Sequence, residues 1–216
     1  MIDMNLGANG PRRLLCIGAH ADDIEIGCGA TVLSLIAKYP RLDVVWAVLS
    51  GDERRRTEAR NSAALFLDLE RKPENKILCG AFRDSFFPYD GGEIKTYFRD
   101  ELANIEPDLV LTHSREDRHQ DHRLVSELTW NTFRSHLIWE YEIPKYDGLV
   151  DLPNCYFAVK PTIVEKKVDY IMSSFASQGG KTWFDEETFR GLLRLRGVEA
   201  GVKYAEAFVA RKITMS

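Results

Sequence analysis

His20, Asp22 and Asp23 fall within four residues, and His119, Asp121 and His122 fall within another four. Each cluster mixes imidazole with carboxylate, the ligand chemistry of zinc, iron and related divalent ions. Read singly, either cluster is a strand-end turn whose Asp caps the next helix, because Asp is a favoured N-cap. Read together they point elsewhere. Asp22-Asp23 sets two carboxylates side by side, where mutual repulsion is costly without a counter-charge. A divalent cation is the natural counter-charge, so the six residues are expected to build one metal-dependent hydrolytic site.

The elements around them must bring the clusters together. Leu14 to Gly18 is a short apolar run, the mark of a strand buried on both faces, and it ends directly in Ala19-His20-Ala21-Asp22-Asp23. Ile24, Cys28, Val32 and Ile36 then recur at helical spacing up to Pro40. Asp108 to Thr112 is a second buried run, followed by His113 and the polar stretch to His122. Further strands are expected over 43–49, 76–79, 137–143, 155–159 and 208–213, and helices over 57–69, 93–104, 121–135, 161–175 and 185–196. Strands alternating with helices imply βαβ units and a single-domain, Rossmann-like, doubly wound and mainly parallel sheet. Ligands bind such sheets outside the carboxyl ends of the strands, where both clusters are predicted to lie. Residues 1–11 are expected to be a flexible lead-in and 12–216 one domain.

Composition narrows the function classes. A net charge of −4 argues against a protein built to grip phosphate backbones. The four cysteines show no CxxC pair, and Cys16 and Cys79 lie in apolar runs, so free thiols in a reducing compartment are expected. The opening MIDMNLGANGPRR lacks a signal-peptide apolar core, and no stretch reaches membrane-spanning length. A cytoplasmic location follows as the expectation. GAHADDIEIGCG puts acids where a dinucleotide pyrophosphate needs backbone donors, which disfavours a nucleotide cofactor.

AHADDIEIGCGAT followed by HSREDRHQDHR resembles the LmbE-like (PIG-L-type) zinc-dependent N-acetylglucosaminyl de-N-acetylases. Their signatures are Ala-His-Pro-Asp-Asp-Glu and His-x-Asp-His. EARNSAALF, the Ser177-Gln178 region and RGVEAGVKYAEAF are also similar, so the resemblance covers roughly residues 13–210. It implies that His20, Asp23 and His122 hold the metal and that Asp22 is the general base. It further implies that His119 stabilises the oxyanion and protonates the leaving amine, while Asp121 orients an imidazole. The implied cofactor is Zn2+, with Fe2+ as the alternative. The implied reaction is hydrolysis of a linear amide, removing acetyl or another acyl group from an N-acylated amino sugar or glycoconjugate. No nucleic acid or membrane insertion is implied, and a homo-oligomer is an open alternative. Ala21 stands where the family has Pro, Ile24 where Glu is common, with Glu25 one place later, and Ala30 where Gly is frequent. These departures leave the ligands and base intact and weaken only the inference of substrate.

Other readings of the same residues are an amidase for a sugar–thiol conjugate, a non-catalytic metal- or sugar-binding protein, and a non-haem iron oxygenase. Two histidines and one carboxylate also describe that last triad. Arg55, three residues before Glu58, stands where similar proteins carry an arginine that reaches the site, but Arg54 and Arg56 are equally available and a solvated turn explains all three. Asp117 reads as a loop-stabilising carboxylate, His113 as a core or rim residue and His136 as structural, near a helix end. Trp183 and Phe184, like Phe86, Phe87 and Tyr89, read either as sugar-stacking surface or as packing anchors.

Overall fold

Strand β1 (Arg13–Gly18) runs through the middle of the molecule with every residue after Arg13 buried. Its side chains alternate between two cores, Leu14 and Cys16 on one face and Leu15 and Ile17 on the other, as the two-residue period of a strand dictates. This is a computed structural model, and it describes residues 6–7, 9–144, 146, 148 and 152–214. The strands are β1, β2 (Asp43–Ser50), β3 (Lys76–Phe82), β4 (Leu109–His113), β5 (Leu137–Tyr141), β6 (Cys155–Ala158) and β7 (Ala205–Val209). They form one sheet in the order β3-β2-β1-β4-β5-β7-β6. Strands β1 to β5 pair in parallel, and β7 runs antiparallel to both of its neighbours.

The helices are α1 (Asp23–Lys38), α2 (Glu53–Leu67), α3 (Gly91–Tyr97), α4 (Gln120–Thr132), α5 (Pro161–Ser174) and α6 (Glu186–Ala200). Contacts join α1, α2, α5 and α6 into one layer, and α3 and α4 cover the other face. The described residues are thus a mixed α/β domain with a doubly wound, mostly parallel sheet. The chain order reverses between β1 and β4, which are neighbours in register (Cys16 opposite Leu111). Both polar clusters leave the C-terminal ends of these two strands, the position where an open α/β sheet forms its crevice.

Several boundaries differ from the sequence expectation. Helix α2 begins a turn early, because Gly51 adopts φ 138° and Asp52 then accepts the amide of Arg55 at 2.8 Å as an N-cap. Arg54-Arg55-Arg56 is therefore a first helical turn and not a solvated loop turn. Gly91 and Gly92 open α3 instead of breaking the chain before it, and that element ends in a π turn over Phe98–Leu102. Helix α4 stops at Thr132, so His136 lies beyond it, with its ring edge-on to Phe133. The last strand spans Ala205–Val209 instead of starting at Phe208. Of the lead-in, residues 1–5 and 8 lie outside the described residues, while Leu6 packs against the core and Gly10 lies under the Tyr39 ring.

Helix α1 is buried on almost every side, so its small residues matter. A Cβ at Gly27 would meet the Tyr141 ring at 2.2 Å, and this close approach lets the Tyr141 hydroxyl donate to the Ile17 carbonyl at 2.7 Å behind the site. The four cysteines are free thiols. No helix among the described residues is long and apolar enough to cross a membrane.

Candidate active site

The loop leaving β1 folds back on itself because the Asp23 carboxylate accepts the amide of His20 at 2.7 Å. This sets His20 Nδ1 at 3.2 Å from Asp23 Oδ2. Across the sheet edge, α4 opens with His119 as N-cap and carries Asp121 and His122 in its first turn, both buried. His122 Nε2 lies 3.1 Å from His20 Nδ1 and 3.4 Å from Asp23 Oδ2.

Three ligand atoms from two loops thus form a triangle with edges of 3.1, 3.2 and 3.4 Å. A tetrahedral ion with bonds of about 2.0–2.1 Å separates its ligands by roughly 3.3 Å. The outer nitrogens agree with that fit. His122 Nδ1 is 2.7 Å from Asp117 Oδ2, and His20 Nε2 is 3.2 Å from Asp121 Oδ2 and 3.3 Å from Asp84 Oδ1. Each outer nitrogen faces a carboxylate that can accept its hydrogen, the pairing that would fix the tautomer with an unprotonated nitrogen inward when a cation displaces the inner proton. Two imidazole nitrogens and a carboxylate oxygen therefore converge on one small space, a donor set that suits a divalent cation.

The electrostatics favour positive charge there. Burial opposes the charged form of His20, but Asp23, Asp121 and Asp84 outweigh it and hold its pKa well above the usual imidazole value. Burial likewise opposes ionisation of Asp23, but His122, His113 and His20 hold its carboxyl well below the usual range.

His113 lies on the far side of Asp23, with Nε2 at 3.2 Å from Asp23 Oδ2 and its ring stacked on His122 at 3.9 Å. Its Nε2 accepts the Ala19 amide at 3.0 Å, which occupies the lone pair a metal would need. Burial and the neighbouring His122 push its pKa down to about 4, so the ring is neutral.

Asp22 occupies the N-cap position of α1 yet its side chain makes no cap hydrogen bond, so capping does not explain it. It is 3% exposed, and its Oδ1 lies 3.5 Å from Arg55 Nη2. Arg55 alone of the arginine triplet makes this contact, since Arg54 pairs with Glu58 and Arg56 with Glu53. His119 Nδ1 accepts the Asp121 amide at 3.3 Å, so its proton sits on Nε2. The His119 ring lies 4.9 Å from that of His20 and 4.5 Å from that of His122. Glu25 faces Ser62 of α2 behind the aspartates, and burial pushes its carboxyl well above the usual range.

Two residues at the site carry more than the sequence suggested. Asp117 orients His122, a pairing hidden inside an irregular loop. Asp84 comes from the loop after β3, the third strand to end at this edge, and the same strand-end reasoning applied to that loop would have found it. Phe87 is buried beside His20, and Phe184 lies in the core with Trp183 packed against it, so these three rings are packing anchors.

The model of the family described as PIG-L, GlcNAc-PI de-N-acetylase, matches residues 15–133, which contain both His/Asp clusters together with Arg55, Asp84 and Asp117. The chain belongs to the PIG-L family. This PIG-L protein is 28% identical over 186 residues to the uncharacterised deacetylase YaiS of Escherichia coli strain K12, covering 79% of this chain and 90% of the relative. Its structure is similar to that of N,N'-diacetylchitobiose deacetylase from Pyrococcus horikoshii, with a TM-score of 0.74 and 22% identity over 95% of this chain and 86% of the other. It is also similar to the 4-carboxy-2-hydroxymuconate hydratase GalB from Pseudomonas putida KT2440, with a TM-score of 0.72 and 15% identity over 95% and 98%. At such identities the two likenesses establish the shared fold, and one fold that carries both a deacetylase and a hydratase leaves the chemistry to the site.

Proposed function

We propose that this PIG-L protein is a zinc-dependent hydrolase that removes an acyl group, acetyl foremost, from an N-acetylated amino sugar or sugar conjugate. The observation that carries the reading is the triangle of His20, Asp23 and His122, flanked by two groups that an ion does not itself need, Asp22 and His119. His20, Asp23 and His122 would hold the ion. Zinc fits an all-imidazole-and-carboxylate set, and ferrous iron would use the same three ligands. When bound, such an ion polarises a carbonyl and lowers the pKa of water to about 7.

The chain's own groups supply the rest. Asp22 takes a proton from the attacking water. The Nε2 hydrogen of His119 donates a hydrogen bond to the developing oxyanion, and the proton that Asp22 has taken from the water passes on to the departing nitrogen. Arg55 holds Asp22 in place and offers its remaining N–H donors to the sugar hydroxyls. Asp121 and Asp117 keep His20 and His122 in the orientation that presents a lone pair inward. Free thiols fit a reducing cytoplasmic setting.

The test is to load the protein with Zn2+ or Fe2+ and offer N-acetylated monosaccharides, disaccharides and nucleotide sugars. Acetate and free amine are expected in equal amounts, with no oxygen consumed. Oxygen uptake coupled to turnover, or a fully metal-loaded protein that releases acetate from none of them, would overturn the reading. Asp117→Asn should weaken metal binding about 10–100-fold in a chelator competition, because the His122 Nδ1 hydrogen loses its charged acceptor. Unchanged affinity would remove Asp117 from that role.

A further inference from the structure

The loop between β3 and α3 leaves two large rings in solvent, Phe86 at 45% and Tyr89 at 78% exposure. We propose that these rings form a second subsite that stacks on the sugar ring next to the N-acetylated one, so that the protein acts on N-acetylated disaccharides and longer glycosides in preference to monosaccharides. This rests on the hydrolase reading above.

The loop is continuous with the site. Asp84 Oδ1 is 3.3 Å from His20 Nε2, and the carboxylate of Asp121 accepts the amides of Ser85 at 2.6 Å and Phe87 at 3.2 Å. Phe86 is therefore clamped at both neighbours by the group that orients His20. Gln120, beside Asp121, adds a bond from its side chain to the Ser85 carbonyl at 2.7 Å. The rings are also braced from outside. Arg83 makes a two-point contact with Asp90 at 3.0 and 2.8 Å, and its guanidinium lies 4.5 Å from the Phe86 ring. Tyr89 donates its amide to the Phe86 carbonyl at 2.9 Å, and the two rings stand 6.0 Å apart.

Ser85 sits in the left-handed region at φ 67°, a conformation that costs a non-glycine residue energy and persists where surrounding bonds impose it. Two apolar rings held in water by a constrained loop whose neighbours Asp84, Ser85 and Phe87 reach the site offer a surface to the part of a ligand that extends out of it. The surroundings select the occupant. Arg83, Asp84, Ser85 and Asp90 frame the rings with charged and polar groups, which suits a ring with apolar CH faces and a hydroxylated rim, whereas an acyl chain needs continuous apolar surface. The two rings expose on the order of 200–300 Å2, well short of the roughly 800 Å2 per partner of a stable protein interface.

The experiment compares kcat/KM of the zinc-loaded protein for N,N'-diacetylchitobiose and for N-acetylglucosamine, in wild type and in the double variant Phe86→Ala/Tyr89→Ala. Both positions are at the surface, so the fold is expected to survive, as thermal unfolding will report. The ratio of disaccharide to monosaccharide kcat/KM should fall about tenfold in the variant, mostly through KM. An unchanged ratio overturns the proposal, as does an unchanged ratio together with a shift in oligomeric state by sedimentation. Saturation-transfer NMR of the disaccharide on the zinc-loaded protein gives a second readout independent of turnover. If wild type releases no acetate, the hydrolase reading fails, and the subsite still stands or falls on whether saturation of the second ring is lost in the variant.

Discussion

Asp22→Asn is expected to bind metal as wild type does and to lose roughly 10²–10⁴ of its turnover, the usual contribution of a positioned general base. The separation follows from the geometry. The triangle proposed to hold the ion uses Asp23 and not Asp22, although the two are adjacent in sequence. Asp22 neither caps α1 nor hydrogen-bonds a ligand imidazole, and the charged partner it meets is Arg55 at 3.5 Å. Asparagine keeps the volume of a nearly buried side chain and cannot accept a proton. Metal content by elemental analysis and kcat from acetate release read the two effects independently. Turnover within threefold of wild type would show that Asp22 is not the base. Loss of metal would show instead that both aspartates hold the ion. His122→Ala gives the complementary result, loss of the ion together with all activity.

The contrast between these neighbours also shows how much of the site the sequence made legible. Two His/Asp clusters, each behind a buried apolar run, place metal chemistry at a sheet edge before any coordinates are known. That the two loops meet depends on β1 and β4 being neighbours, and strand order is a property of the whole sheet that local periodicity does not encode. The orienting carboxylates were harder. Asp121 lies in a helical turn and within a recognisable pattern, whereas Asp117 sits in an irregular loop where spacing carries no direction, and Asp84 follows the end of β3 with no histidine beside it to mark it. The start of α2 is not legible in the periodicity, because the charged run Glu53 to Arg56 carries no apolar spacing although Asp52 caps it. The direction of β7 was also invisible, since its burial pattern is that of any strand covered on both faces.

That reversed strand anchors the helix carrying Asp23. Glu206 on β7 accepts the amides of Ala30 at 2.9 Å and Thr31 at 2.6 Å, and Lys167 of α5 donates to Glu206 and to the Ile26 carbonyl, both at 2.6 Å. In a regular helix the Ala30 amide would bond the Ile26 carbonyl, so a buried ion pair has partners for both groups in the middle of α1. Lys167 and Glu206 are 2% and 4% exposed. Glu206→Ala should therefore strand a buried ammonium and two helix amides together, destabilising the fold by about 3–5 kcal/mol, a large share of a typical 5–15 kcal/mol. Lys167→Met/Glu206→Gln should cost less than the sum of the single replacements, since neither leaves an unpaired charge for the other to suffer. Denaturant midpoints of the metal-free protein measure both, and a Glu206→Ala midpoint equal to wild type would refute the anchoring role. Zinc should then restore part of the loss in Glu206→Ala, because an ion that binds only the folded chain shifts the equilibrium by mass action. The size of that rescue gauges how firmly the first turn of α1, and Asp23 with it, still holds its place when the anchor one turn away is gone.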